Sequence, residues 1–192
     1  MPRVGLTTAR VAEAAAVLAD EVGLEHVTLA ALAQRFGVAT PSLYTHVRSQ
    51  ADARVRVALL ALEETADLVA AALAGVSGRD ALAAVGGVWR AYAVAHPGRY
   101  AATRLPLDAA TAASSAGPRH AELSRAAVRG YRLGEVDATH AVRLLGATFH
   151  GYAALDAAGA FGHGPPDAPS SDASFERVLD GLHATLTSWE TR

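Results

Sequence analysis

Between Thr40 and His46 the chain sets four hydroxyl side chains and one imidazole into seven positions: Thr40, Ser42, Tyr44, Thr45 and His46, with Pro41 and Leu43 between them. Short donors at this density suit hydrogen bonding to phosphate oxygens and to base edges. Two elements must hold them in place. Thr28 can N-cap a helix whose apolar residues Leu29, Leu32, Ala33 and Phe36 follow the i, i+3, i+4, i+7 pattern. Gly37 ends that helix by reaching the left-handed conformation, and Val38 follows as an apolar plug between the helices. Thr40-Pro41 restarts the chain, because a threonine oxygen can cap and proline lacks only an N–H that has no partner in a first turn. A second helix is therefore expected from Thr40 or Pro41, with Leu43 and Val47 facing inward. The same pattern joins ordinary bundle helices, so spacing alone leaves both readings open.

The rest of the chain reads as all-α. A helix over about 7–22 puts Val11, Ala14, Ala15, Leu18 and Val22 on one face and is closed by Gly23. Ser49-x-x-Asp52 resembles a capping box and opens a long helix to about Leu73. Further helices are expected over about 79–95, 99–105, 119–133, 137–158 and 174–189, with a loop over 106–118. No period-two strand pattern and no internal repeat is found. The boundary is placed so that residues 1–48 form one domain and 49–192 the other.

Composition narrows the chemistry. At 192 residues and 51% apolar side chains the chain can bury a sizeable core as one large or two small domains. It has no cysteine, which excludes disulfides, thiolate metal sites and cysteine nucleophiles. Glu13, Asp20 and Glu21 interrupt any apolar signal core, and Arg79, Asp80, Arg90, Arg143 and Asp156 break the alanine-rich stretches before they reach membrane length. A cytoplasmic protein is expected, with no membrane partner. The histidines show no metal spacing, so His120, His140 and His163 read as surface residues, and no metal or cofactor is expected. Gly159, Gly162 and Gly164 form no phosphate-binding loop, Pro165-Pro166 marks that stretch as loop, and no serine stands in a nucleophile elbow, so no enzyme is expected. Net charge is −2, divided as +1 over residues 1–56 and −3 over 57–192. Contact with a polyanion must then come from local placement, with Arg3, Arg10, Arg48, Arg54 and Arg56 as candidates.

Nine of the eleven aromatic residues lie beyond residue 88. Trp89, Tyr92, Tyr100, Phe149 and Tyr152 are expected to converge in the second domain around a largely apolar effector, with His96, Arg104 and His150 as polar groups. Core packing by Trp89 and Tyr92, and helix capping by His96, are the competing readings. Apolar stripes on the last two helices, Val142, Leu145 and Gly146 on one and Phe175, Val178, Leu182, Leu186 and Trp189 on the other, suggest a homodimer with a four-helix interface, unless they face the chain's own core.

The stretch from Thr28 to Tyr44-Thr45-His46-Val47 resembles the helix-turn-helix signature of the TetR family of bacterial regulators, and the likeness extends over nearly the whole chain. Trp89-x-x-Tyr92, His96-Pro97-Gly98-Arg99-Tyr100 and Phe149-His150-Gly151-Tyr152, leading to Gly159-Ala160-Phe161-Gly162, are similar to that family's WHG-type C-terminal domain. The resemblance implies an N-terminal three-helix DNA-binding domain on a helical ligand-binding and dimerisation domain. Such a protein is usually a repressor released from a near-palindromic double-stranded DNA operator by a small molecule. By position, Thr28, Thr40, Ser42, Tyr44 and His46 would contact DNA, with Pro41, Thr45 and Arg48 completing the surface. Gln50 departs from the lysine common in the family, which removes one phosphate contact. The alternative is an all-α small-molecule-binding protein or enzyme on the same scaffold that has lost DNA recognition.

Overall fold

The computed structural model describes residues 6–163, 165 and 167–190. Arg3, Gly164 and Pro166, named above, lie outside them. Helix α1 (Thr8–Val22) starts where Thr7 Oγ1 accepts from Arg10 N at 3.2 Å, and it buries Val11, Ala15, Leu18 and Ala19. After Gly23 and a 3-10 turn at Leu24–His26 comes α2 (Leu29–Phe36), capped by Thr28 Oγ1 on Ala31 N at 3.1 Å. Gly37 takes φ 64°, and the Val38 N–H returns to the Ala33 carbonyl at 3.0 Å, closing the helix as a Schellman-type turn.

The expected second helix is replaced by a 3-10 turn at Thr40–Leu43 that passes through further turn to His46. Its cap position is Ala39, not Thr40, and no side chain caps it. Bonds of the i to i+3 type run from Ser42 N to Ala39 O (2.9 Å) and from His46 N to Leu43 O (2.8 Å). Thr45 Oγ1 also donates to the Ser42 carbonyl at 3.0 Å, the local competition that makes threonine a poor helix-interior residue.

Helix α3 (Gln50–Ala72) opens as the Ser49-x-x-Asp52 pattern predicts, with Asp52 N on Ser49 Oγ at 3.1 Å and Asp52 Oδ2 accepting from Arg48 N at 2.8 Å. There follow α4 (Gly78–Ala95), α5 (Pro97–Ala102), α6 (Ala109–Ser114), α7 (Gly117–Ala127), α8 (Glu135–Ala157) and α9 (Ser171–Ser188). No strand occurs among the described residues. The expected loop over 106–118 is partly helical, because Asp108 caps α6 on Thr111 N at 2.9 Å. The expected helix over 119–133 stops early. A Cβ on Gly130 would lie 2.7 Å from Gly78 N, so the backbone after α7 turns closely past the start of α4.

The chain divides into two compact units. One holds the described residues up to Glu64 together with His96–Ala116; the other holds Thr65–Ala95 and the described residues from Gly117 onward. The first has a core of Val11, Ala15, Leu32, Leu43, Val47 and Val57, joined by Ala102 from α5. In the second, α4 packs against α8 and α9 around Leu82, Trp89, Phe149, Phe175 and Leu179. Among the described residues no helix is long and apolar enough to cross a membrane.

Candidate nucleic-acid interface and effector region

Leu43 and Val47 are buried in the first unit and hold the turn between them against α2 and the rest of that core. The opposite side is polar and accessible. Pro41, Ser42, Thr45 and Arg48 are exposed, Thr40 and His46 half-buried, and Tyr44 keeps 57% of its surface in solvent. Thr28 is half-buried with its oxygen engaged by Ala31 N, so its hydroxyl proton is left to donate. Two of the phosphate candidates are internal instead. The Arg54 guanidinium bonds the Glu25 carbonyl of the 3-10 turn after α1, and Arg56 Nε pairs with Asp52 in the first turn of α3 at 3.3 Å. Arg10 lies 6.0 Å from the Phe36 ring centroid. Glu21 is turned to Arg35, which donates to it at 2.5 and 3.0 Å and holds its carboxyl below the usual range.

His96, Tyr100 and Arg104, expected at the effector, belong to the first unit, whereas Trp89, Tyr92, Phe149, His150 and Tyr152 belong to the second. They dock α5 on α1. A Cβ on Gly98 would lie 2.0 Å from the Ala19 carbonyl oxygen, so only glycine lets the two backbones meet. Asp20, at the end of α1, accepts from Arg99 N at 2.9 Å and contacts Arg99 Nε at 3.1 Å and His96 Nδ1 at 3.2 Å. Arg99 Nη1 reaches on to Glu64 of α3 at 3.1 Å. His96 sits at the cap position of α5 but makes no side-chain cap bond. Tyr100 is buried, which pushes its phenol up, while the Arg104 guanidinium 4.5 Å over its ring opposes that.

In the second unit Trp89, Tyr92, Phe149 and Tyr152 are all buried. The Trp89 ring lies 4.5 Å from that of His150 and 5.5 Å from that of His120. His120 is therefore no surface residue: it is half-buried and its Nε2 is 3.2 Å from Thr65 Oγ1. Tyr152 contacts the rings of Phe175 (5.0 Å) and Phe161 (4.7 Å) and donates to the Ser171 carbonyl at 2.6 Å. The proposed dimer stripes need correction as well. Leu145, Phe175, Leu182 and Leu186 are buried in the chain's own core, because their side of α8 and α9 faces α4. Val142, Gly146, Val178 and Trp189 remain half-buried.

Known proteins share the helical fold that carries this turn. Residues 82–182 match the family model described as tetracyclin repressor-like, C-terminal domain. The uncharacterized HTH-type transcriptional regulator Rv0681 of Mycobacterium tuberculosis is 32% identical over 184 residues, covering 95% of this chain and 84% of that protein. The chain belongs to the TetR family of transcriptional regulators. Solved structures share its fold. The TetR-type regulator SCO7222 of Streptomyces coelicolor aligns at TM-score 0.71 and 22% identity over 97% of this chain and all of that one. ActR of the same organism, in complex with (S)-DNPA, aligns at TM-score 0.66 and 20% identity over 95% of this chain and 98% of that one.

Several residues that shape this TetR-family regulator escape a linear reading. Asp20 carried one signal, a carboxylate in the last turn of a helix where the dipole disfavours it, which calls for a partner. Arg99 and Glu64, 35 positions apart, carried none. Arg90, Asp156, Ser171 and Asp172 come together only because α4, the end of α8 and the start of α9 meet.

Proposed function

We propose that this regulator is a repressor that binds a near-palindromic double-stranded DNA operator as a homodimer and leaves it when a small, mainly apolar effector binds. Residues 1–48 are the DNA-binding domain and 49–192 the effector and dimerisation domain, in the cytoplasm. The observation that carries the reading is the turn from Thr40 to Arg48, whose Leu43 and Val47 are buried while Ser42, Tyr44, Thr45 and Arg48 face solvent. Thr40, Pro41, Ser42 and Tyr44 meet base edges, and Thr28, Thr45, His46 and Arg48 meet phosphates. ActR with its bound (S)-DNPA supports an effector site on this fold. Of the aromatic set, His150 beside Trp89 offers the more accessible polar group.

The dimer face follows from glycines. A Cβ built on Gly146 or Gly151 of α8, or on Gly181 of α9, meets nothing within 4 Å inside the chain. Each such helix-interior glycine costs about 1 kcal/mol against alanine, so close approach by another body is what they permit. A second copy seated there, with Val142, Val178 and Trp189 at its edges, places two recognition turns in successive major grooves. Helix α3 runs through both units. An effector that binds one position of α3 better than another changes the separation of those turns. A hundredfold loss of DNA affinity needs about 2.7 kcal/mol of differential effector binding.

Fluorescence anisotropy against the duplex upstream of the regulator's own gene, at two salt concentrations and beside a random duplex, tests the reading. Selective binding that weakens with salt is expected. Binding equal to that of the random duplex, there and with sites selected from a random library, points to a scaffold that has lost DNA recognition.

A further inference from the structure

Helix α4 has two unlike sides. Leu82, Val85, Gly86, Trp89, Tyr92 and Ala93 are buried, whereas Gly87, Arg90, Ala91, Val94 and Ala95 line a groove of about 440 Å³ closed on its far side by Asp156 and Asp172. The two glycines of this helix differ in kind. A Cβ on Gly86 would meet Phe175 at 2.6 Å and Phe149 at 2.8 Å, so packing demands glycine there. A Cβ on Gly87 meets nothing within 4 Å, so the fold has no need of it, and its effect is to deepen the groove. Val94 leaves 64% of its surface in solvent as an apolar wall.

The polar end of the groove is held rigid. Arg90 donates from Nε and Nη2 to Asp156 Oδ2 at 2.9 and 2.7 Å, and from Nη2 to Ser171 Oγ at 3.2 Å and Asp172 Oδ1 at 2.9 Å. Its guanidinium carbon lies 4.5 Å over the Phe175 ring and 5.3 Å from that of Tyr152. Ser171 Oγ donates to Asp156 Oδ1 at 2.6 Å, so both oxygens of that carboxylate are engaged. None of the four bonds involves Nη1, which carries two N–H donors. One arginine against two carboxylates leaves the site at −1, so a third carboxylate is repelled; an ammonium is drawn by that charge but offers no lone pair to the Nη1 donors.

We infer that this groove binds an uncharged, mainly aliphatic molecule whose carbonyl oxygen accepts from Arg90 Nη1 while its chain lies along Gly87, Ala91 and Val94. The volume lies within the roughly 300–1,000 Å³ of small-molecule sites, and the site pairs apolar walls with one oriented polar group, as such sites do. It is separate from the buried set around Trp89, Phe149 and His150.

Titration calorimetry of the full chain with three probes of similar size, N-hexylacetamide, octanoate and octylammonium, tests the inference without DNA, so its result stands whatever the head binds. N-hexylacetamide is expected to bind at least about tenfold more tightly than octanoate, the scale of a bond to a charged donor, and more tightly than octylammonium. Gly87→Phe fills the groove and is expected to abolish that binding with the unfolding midpoint retained. Val94→Asp, at an exposed position, is expected to weaken it about tenfold by placing charge on the apolar wall, and it stands in if the larger substitution disturbs folding. Octanoate binding as tightly as the amide, octylammonium binding as tightly or more tightly, no binding of the amide, or amide binding unchanged in a folded variant overturns the assignment.

Discussion

Tyr44 and Leu43 are neighbours with opposite duties. Leu43 has no exposed surface and anchors the recognition turn, whereas Tyr44 stands mostly in solvent. Leu43→Ala is therefore expected to cost about 2–5 kcal/mol in urea unfolding, as other buried leucine truncations do. Tyr44→Ala should leave the unfolding midpoint nearly unchanged while lowering affinity for the upstream duplex at least about tenfold in anisotropy. Equal losses of stability in the two variants would show that Tyr44 is structural. Gly98 makes a sharper case, because the clash its Cβ would create is with backbone, which cannot rotate away. Gly98→Ala is expected to destabilise the first unit by about 2 kcal/mol or more, read as faster amide exchange in α1 and α5.

At the scale of elements, caps were legible in the sequence and turn geometry was not. Thr28 and Ser49 each cap the helix their position predicts, because a cap depends on three or four adjacent residues, whereas Thr40 caps nothing. The recognition segment follows the same local vocabulary and still forms a 3-10 turn, in which Thr45 Oγ1 takes the Ser42 carbonyl while Leu43 and Val47 are buried. The junction of α4, α8 and α9 gives a pH prediction. Burial by itself raises the Asp156 carboxyl, but the bonds from Ser171 and Arg90 outweigh it and hold the group below its ordinary value. A lowered folded value means that the stabilisation is present above the ordinary carboxylate range and is lost as pH falls toward the folded value. Between about pH 6 and about pH 3, the unfolding midpoint of the wild type should fall more than that of Asp156→Asn, which has no proton to bind. Parallel curves would remove Asp156 from that account.

For the whole molecule, the outward glycines predict how association and folding separate. Gly151→Arg is expected to convert a sedimenting dimer to a folded monomer, since the position is exposed and its Cβ free of internal contacts. Leu186→Ala should instead lower stability by about 2–5 kcal/mol, because that side chain is wholly buried in its own chain. If Gly151→Arg still sediments as a dimer, the interface lies elsewhere. The all-α class, the caps at Thr28 and Ser49, the glycine stop at Gly37 and the family signature were legible in the sequence, because each is written in residues a few positions apart. Only the tertiary structure decided which side of α8 and α9 is core, that His96-Pro97-Gly98 docks α5 on α1, and that Arg90, Asp156 and Ser171 share one site. A periodic stripe says that a helix has an apolar side; what that side meets depends on residues tens of positions away, and no local pattern encodes that distance.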